Sequence, residues 1–447
     1  MKQTNIRWNS SATFIFSTSA AAIGLGNIWR FPYMVGQHGG GTFVLLYIAC
    51  ILVLGIPLLL AEITIGRLGR STPPQTFALL AQKAKLSPLW KWAGIISVCA
   101  SFFILSYYLV ITGWVIEYIT KASLNQFHHL TSTKSTELFN QLQHNPAGML
   151  VTDTIAIISS SLIVALGIKK GLEKMILYMF PTMFILLILL FIYACSIGDI
   201  KLTLHYLFDF NPKELTMTTL LMALGQAFFS LSIGVGANIM LSAYLPKQVS
   251  LLSATAWVVI ADTLFAILSG LIIFPLVFKY NLATDSGPSL IFQTLPLAFG
   301  WMHLGYLFGV LFFILLFFAA FSSIVAILET IIATVAETTS ISRKKSNIYT
   351  SSLLWLISIL TIGSFSHPEY FQVLGHTAFG IIDHITAAIM LPVSGLLSAI
   401  FLGWLFPKAI FKQELQWNTS GFWHGIWRIA LRYIAPISII LILITNN

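Results

Sequence analysis

The chain has 447 residues, 57% of them hydrophobic and only 9% charged, with a formal net charge of +9 and a mean hydropathy of +0.87. An average soluble domain carries roughly 25% charged residues, so the composition excludes a string of soluble domains and points to a polytopic membrane protein. The basic balance would also suit a nucleic-acid binder, and the placement of the charges separates the two readings.

About 30 Å of hydrocarbon needs roughly 20 apolar residues per crossing. Eleven such runs occur, near 11–37, 41–69, 89–120, 150–168, 172–197, 217–245, 249–279, 302–338, 348–365, 376–406 and 422–445. Several exceed the need of an upright helix, so tilt or extension into the loops is expected. Short loops without Pro- or Ser-rich linkers make 1–447 a single all-α transmembrane domain, and the longest loops, near 121–148 and 280–301, do not look like independent domains.

An N-terminus inside the cell gives the cytoplasmic side Lys2, Arg7, Arg67, Arg70, Lys83, Lys85, Lys91, Lys169, Lys170, Lys174, Lys247, Arg343, Lys344, Lys345, Lys408, Lys412, Arg428 and Arg432, which is 18 of the 24 basic residues. The outer side keeps Lys121, Lys134, Lys201, Lys213 and Lys279, and Arg30 falls within the first span. Such asymmetry is the positive-inside pattern. With eleven crossings it sets the C-terminus outside, makes the bilayer of the cell (inner) membrane the partner and removes nucleic acid. Cys50, Cys99 and Cys195 are an odd set inside apolar runs and indicate neither a disulfide framework nor a metal site. No short charged and apolar leader with a cleavage site precedes the first run, so no removed signal peptide is expected.

In the first run, Gly24 and Gly26 interrupt the apolar pattern. A break in lipid is tolerated only where protein or a polar cavity satisfies the freed backbone groups, although an isolated GxG also suits close helix packing. The sixth run repeats the feature in GQAFFSLSIGVGANIM (225–240), with Ser230, Ser232, Gly234 and Gly236 at its middle. The two runs hold equivalent positions in two five-helix halves, near 11–197 and 217–406, followed by an extra helix near 422–445. Paired interruptions of this kind point to a transporter binding site. A half-helix starting near Leu25 and Gly26 aims free N–H groups at an anion such as a carboxylate, and one ending near Ala22 and Ile23 offers carbonyls that suit Na⁺ or an ammonium group. One break thus recognises both ends of a zwitterion.

With AAIGLGNIWRFPYMVGQHGGGTFVLLY (21–47), the chain resembles the neurotransmitter:sodium symporter family, whose fold is the LeuT type. The likeness continues through GIPLLLAEITIGRLGR (55–70), SYY (106–108), QAFFSLSIGVGA (226–237) and AAFSSIVAILE (319–329). It implies sodium-driven secondary transport with five-plus-five inverted repeats and unwound first and sixth helices. By position, one sodium site falls on Asn27, Ser230 and Asp262 with the carbonyl of Ala22 and the substrate carboxylate. The other falls on Ser322 and Ser323 with carbonyls of Ala20, Ile23 and Ala319, which gives two Na⁺ ions. Oxygen ligands of this kind suit an alkali cation and not zinc.

Asp262 stands where many members have asparagine, and Ala266 stands where animal members place a chloride-binding serine. A fixed carboxylate replaces the anion's charge, so chloride-independent transport is expected, with Asp262 as a candidate to take up a proton on the return step. The competing reading of Asp262 is a buried acid bonded to backbone groups. Glu62 is read as a structural acid serving unwound backbone, with a direct sodium or proton role as the alternative.

Gly24 precedes Leu25 where monoamine carriers of the family have an aspartate, so the substrate should bring its own carboxylate to Tyr108 and the N–H groups of Leu25 and Gly26, which means an amino acid. The implied side-chain pocket is Ile104, Tyr108, Phe229, Ser232, Val235, Ser323 and Ile327, mostly apolar and hostile to a charged side chain. A hydrophobic substrate, bulky aliphatic or aromatic, is expected. Arg30 and Asp383 map to an outer gate above the lid Phe229, and Trp8, Tyr244 and Glu337 to an inner latch, with Arg7 or Lys2 as candidate basic partners. An enzyme is the rival class, but His38, His303, His376 and His384 are scattered and neither HExxH nor GxSxG occurs. A sodium- or proton-coupled carrier of another LeuT-fold family, a passive channel and a non-transporting amino-acid sensor are the other readings.

Overall fold

The computed structural model describes residues 8, 10–246, 248–284, 289–373, 375–407 and 422–445. Among these, nine helices are long and apolar enough to cross a membrane: Gly41–Gly69, Pro88–Ser123, Pro146–Ala165, Ile168–Ile197, Leu251–Lys279, Gly305–Thr339, Arg343–Ser366, Ala378–Leu405 and Gly425–Thr445. The pair Ala12–Ala22 and Gly26–Gln37, bent by 52°, forms the first span. Met217–Ser230 and Ala237–Ala243 form the sixth, each piece too short to cross alone. The expected eleven is reached only by joining the halves of both broken spans.

The third span has 36 residues and the eighth 35. At 1.5 Å per residue either exceeds 50 Å, so both run well past a hydrocarbon layer of about 30 Å. Buried serines and threonines fill the centre between them and the broken spans, among them Ser101, Ser106, Thr112, Ser322 and Thr330.

The loops depart from the sequence reading. The 121–148 stretch holds a helix, Ser132–Gln143, whose N-cap Thr131 accepts from the Lys134 N–H. Its Phe139 ring stacks on Phe292 at 5.7 Å. The 280–301 stretch holds Leu290–Trp301, and Ile200–Phe208 is a further short helix between the fifth and sixth spans. These segments are too polar or too short to register as spans; Ser132–Gln143 and Ile200–Phe208 each lay one apolar face on the bundle, and Leu290–Trp301 is buried on nearly all sides. A two-residue antiparallel hairpin, Gln372↔Thr377 and Val373↔His376, precedes the tenth span. Lys2, Arg7, Lys247, Lys408 and Lys412 lie outside the described residues.

Candidate functional site

The first break starts where Ile23 turns extended (ψ 109°) after the helix ends at Ala22. Helix resumes at Gly26. Gly24 has no room for a side chain: a Cβ there would approach the Tyr108 hydroxyl to 2.6 Å and the Ser323 hydroxyl to 2.8 Å. The Leu25 N–H donates to the Tyr108 hydroxyl at 2.9 Å, the Gly24 N–H donates to Asn27 Oδ1 at 3.1 Å, and Gln226 donates to the Gly26 carbonyl at 2.8 Å.

In the sixth span, Ser232, Gly234 and Gly236 all have positive φ (51°, 84° and 82°). Three left-handed residues in five cannot propagate a right-handed helix. A Cβ on Gly234 would also sit 2.4 Å from the Leu391 carbonyl. Glu62, fully buried, accepts from the Gly234 N–H at 2.8 Å and from the Asn238 amide at 3.1 Å. That amide donates as well to the carbonyls of Leu231 and Ser232, and Ser101 donates to the Val235 carbonyl. Glu62 is thereby placed on unwound backbone, as its structural reading requires.

Two polar clusters flank the first break. In one, Asn27 Nδ2 donates to Asp262 Oδ1 at 2.7 Å, to the Asp262 carbonyl at 3.0 Å and to Ser230 Oγ at 3.0 Å, while Ser230 Oγ donates to Asp262 Oδ2 at 2.5 Å. Asp262 is fully buried, and among the described residues its carboxylate is bonded to side chains and not to backbone groups. In the other, Ser322 Oγ donates to the carbonyls of Ala20 (2.8 Å) and Ala319 (3.0 Å), and Ser323 Oγ reaches those of Ala21 (3.2 Å), Ile23 (3.3 Å) and Ala319 (3.3 Å). Both clusters converge oxygen atoms without sulfur or imidazole, a donor set that fits an alkali cation. In the second, the hydroxyl protons turn to the carbonyls. Ala22 ends the first half-helix beside them, buried.

Above the break lies a cavity of about 570 Å³ whose lining includes Leu25, Arg30, Tyr107, Tyr108, Trp114, Phe139, Phe229 and Asp383. Ile104, Val235, Ser323 and Ile327 are buried and lie outside that lining. Ser232 is half-buried, its hydroxyl 3.4 Å from the Ala21 carbonyl. Arg30 and Asp383 share the cavity, but the guanidinium stands over the Phe229 ring at 4.6 Å. Arg30 and Asp383 are not ion-paired among the described residues.

On the opposite side, Trp8 Nε1 donates to the Leu241 carbonyl at 3.0 Å, its N–H to the Tyr244 carbonyl at 3.3 Å, and the two rings meet edge to face at 6.3 Å. Glu337, within electrostatic reach of Tyr244, accepts from Ser71 (2.6 Å) and Thr72. The ion pair there joins Glu329 to Arg343, with Tyr244 facing the same carboxylate. Glu329 is buried and needs a cation more than the exposed Glu337 does. Arg7 and Lys2 lie outside the described residues.

Sequence reasoning gave no role to Tyr47, whose hydroxyl lies 3.1 Å from Ser230 Oγ and 3.4 Å from Asp262 Oδ2. It also passed over Gln226, Asn238, Ser101 and Tyr107. A lone polar group in an apolar helix announces burial, but its partner comes from another span.

Two discontinuous helices, crossing a buried polar centre inside a bundle of spans, define a polytopic secondary transporter of the LeuT type. The model of the sodium:neurotransmitter symporter family matches residues 5–144 and 137–447. The sodium-dependent transporter YhdH of Bacillus subtilis is 32% identical over 99% of this chain and 97% of its own length. A sodium-dependent transporter of Haemophilus influenzae is 31% identical over 98% and 97%. The crystal structure of MhsT in complex with L-phenylalanine superposes with a TM-score of 0.90 at 36% identity, covering 99% of both chains. The chain belongs to the sodium:neurotransmitter symporter family. It is a sodium-dependent membrane transporter and not an enzyme.

Proposed function

We propose that this transporter imports a hydrophobic L-amino acid, bulky aliphatic or aromatic, together with two sodium ions and without chloride. The arrangement that carries the reading is the first break itself: Leu25 N–H and the Tyr108 hydroxyl face each other at 2.9 Å beside a glycine with no room for a carboxylate. The phenylalanine held by MhsT supports the same substrate class.

In this reading the substrate carboxylate displaces the bond between Tyr108 and Leu25 and takes both donors, with the Gly26 N–H. Its ammonium group meets carbonyls at the end of the first half-helix, Ala22 included. Ile104, Phe229, Ser232, Val235, Ser323 and Ile327 enclose its side chain.

The first sodium is held by Asn27, Ser230, Asp262 and the Ala22 carbonyl, with the substrate carboxylate. For Asn27 to offer its oxygen, the amide turns over and gives up its bonds to Asp262 and Gly24. The cation then takes the place of the amide protons beside Asp262. The second sodium is held by Ser322 and Ser323 with the carbonyls of Ala20, Ile23 and Ala319, once the two hydroxyls turn their protons away. Because ion and substrate share ligands, each raises the other's affinity by the same factor. Asp262 supplies the negative charge that chloride supplies elsewhere, and takes up a proton on the return step.

Alternating access follows from pairing of Arg30 with Asp383 over Phe229, then release of the latch of Trp8, Tyr244 and Glu337. The N-terminus is cytoplasmic and the C-terminus outside, in the inner membrane. The repeats cover about 11–197 and 217–406, with the helix at about 422–445 added to the single domain.

The direct test is thermal stability of the purified protein in sodium against potassium, across the amino acids. Stabilisation by aromatic or branched aliphatic amino acids only in sodium is expected. Equal stabilisation in potassium, or none by hydrophobic amino acids, would overturn the reading.

A further inference from the structure

A second cavity, distinct from the one lined by Arg30 and Asp383, lies where the fifth span begins. Gly167, with φ of 79°, turns the chain between the fourth and fifth spans, and Ile168–Glu173 opens the fifth as a π-helix that no side chain caps. A cavity of about 590 Å³ there is lined by Lys169, Lys170, Glu173, Lys174, Leu177 and Tyr178. The three lysines are exposed, and none is ion-paired among the described residues. Glu173 is buried behind them, and two further carboxylates of that membrane face are already engaged, Glu329 by Arg343 and Glu337 by Ser71 and Thr72.

The stripe continuing from these lysines is apolar. Lys170, Lys174, Tyr178, Ile185, Leu189 and Ile192 follow at helical spacing, and the last four are 69%, 58%, 52% and 59% exposed. In a membrane protein such exposure is to lipid. Cationic heads at the edge of the span and an apolar strip running inward reproduce, in complement, a phosphate group with an acyl chain beneath it.

We infer that the start of the fifth span is a binding site for an anionic phospholipid, whose phosphate sits among Lys169, Lys170 and Lys174 and whose chain lies along Tyr178 and Ile185. A free phosphate ester would satisfy the lysines but would leave the strip unused, which is why the bilayer is the source.

The test uses full-length protein in native mass spectrometry, titrated after delipidation with phosphatidylglycerol or phosphatidylcholine, the former with or without glycerol 1-phosphate. Wild type should hold one phosphatidylglycerol in preference to phosphatidylcholine. The K169Q/K170Q/K174Q variant should lose that preference, by roughly fivefold per lysine. K83Q/K85Q/K91Q, which neutralises three other exposed lysines, should keep it. Unchanged retention in the first variant, equal loss in the second, equal binding of phosphatidylcholine, or full competition by glycerol 1-phosphate would each overturn the proposal. All six positions are exposed, and an unaltered melting temperature in detergent checks that both variants are folded.

Discussion

The first and sixth spans are both interrupted at mid-membrane, but different chemistry holds their breaks. At the sixth, a buried carboxylate and an amide, Glu62 and Asn238, fasten the backbone, and Ser101 takes one more carbonyl. At the first, most partners are hydroxyls: Tyr108 on the Leu25 N–H, and Ser322 and Ser323 on carbonyls from Ala20 to Ile23. A hydroxyl donates or accepts by rotation, so it can release a carbonyl to a cation and remain as a ligand. A carboxylate accepting from backbone and amide N–H groups has no such freedom. The sixth break is therefore a fixed support and the first an exchangeable site.

Substitution can break that contrast. The largest effect is expected for Glu62→Ala, which strands the Gly234 N–H and part of the Asn238 amide at about 1–3 kcal/mol each. Thermal unfolding should show a large loss of stability whether or not sodium is present, and an unchanged melting temperature would remove Glu62 as the support. Next come Asn27→Ala and Ser323→Ala, which should abolish sodium-dependent uptake while the protein stays folded. Normal uptake in either would defeat the exchangeable site.

Asp262→Asn should cut uptake by more than tenfold, since the fixed charge is gone and Ala266 offers no hydroxyl to an anion; one pK unit or 1.4 kcal/mol of lost charge compensation already gives about tenfold. Adding Ala266→Ser should restore uptake only when chloride is present, and restoration in gluconate would argue against charge replacement. Tyr108→Phe removes one hydrogen bond, about 0.5–1.5 kcal/mol, and should weaken amino-acid-induced stabilisation by roughly two- to tenfold. The smallest effect is expected for replacing chloride by gluconate with the unsubstituted protein, where uptake should hold.

The spans, the two breaks and the polar residues beside them were legible because lipid imposes a one-dimensional rule: an apolar run long enough to cross, or an interruption that protein must satisfy. Gly24 and Gly234 stood out for that reason. The helices Ser132–Gln143 and Leu290–Trp301 did not, since the first is amphipathic and the second, though apolar and buried, is too short to read as a crossing. Tyr47 and Gln226 were hidden for a related reason, each being a single polar group whose partner belongs to another span.

Residue order alone thus settled the membrane class, the positions of the interruptions and the family likeness, because hydropathy and glycine placement act locally. Partner choice was decided only in three dimensions. Tyr47 joins Asp262 across 215 positions, Glu337 bonds Ser71 and Thr72, and Arg30 lies over Phe229 and apart from Asp383. Hydrogen bonds and ion pairs between distant segments depend on which helix faces meet, and that geometry arises from packing all the spans at once.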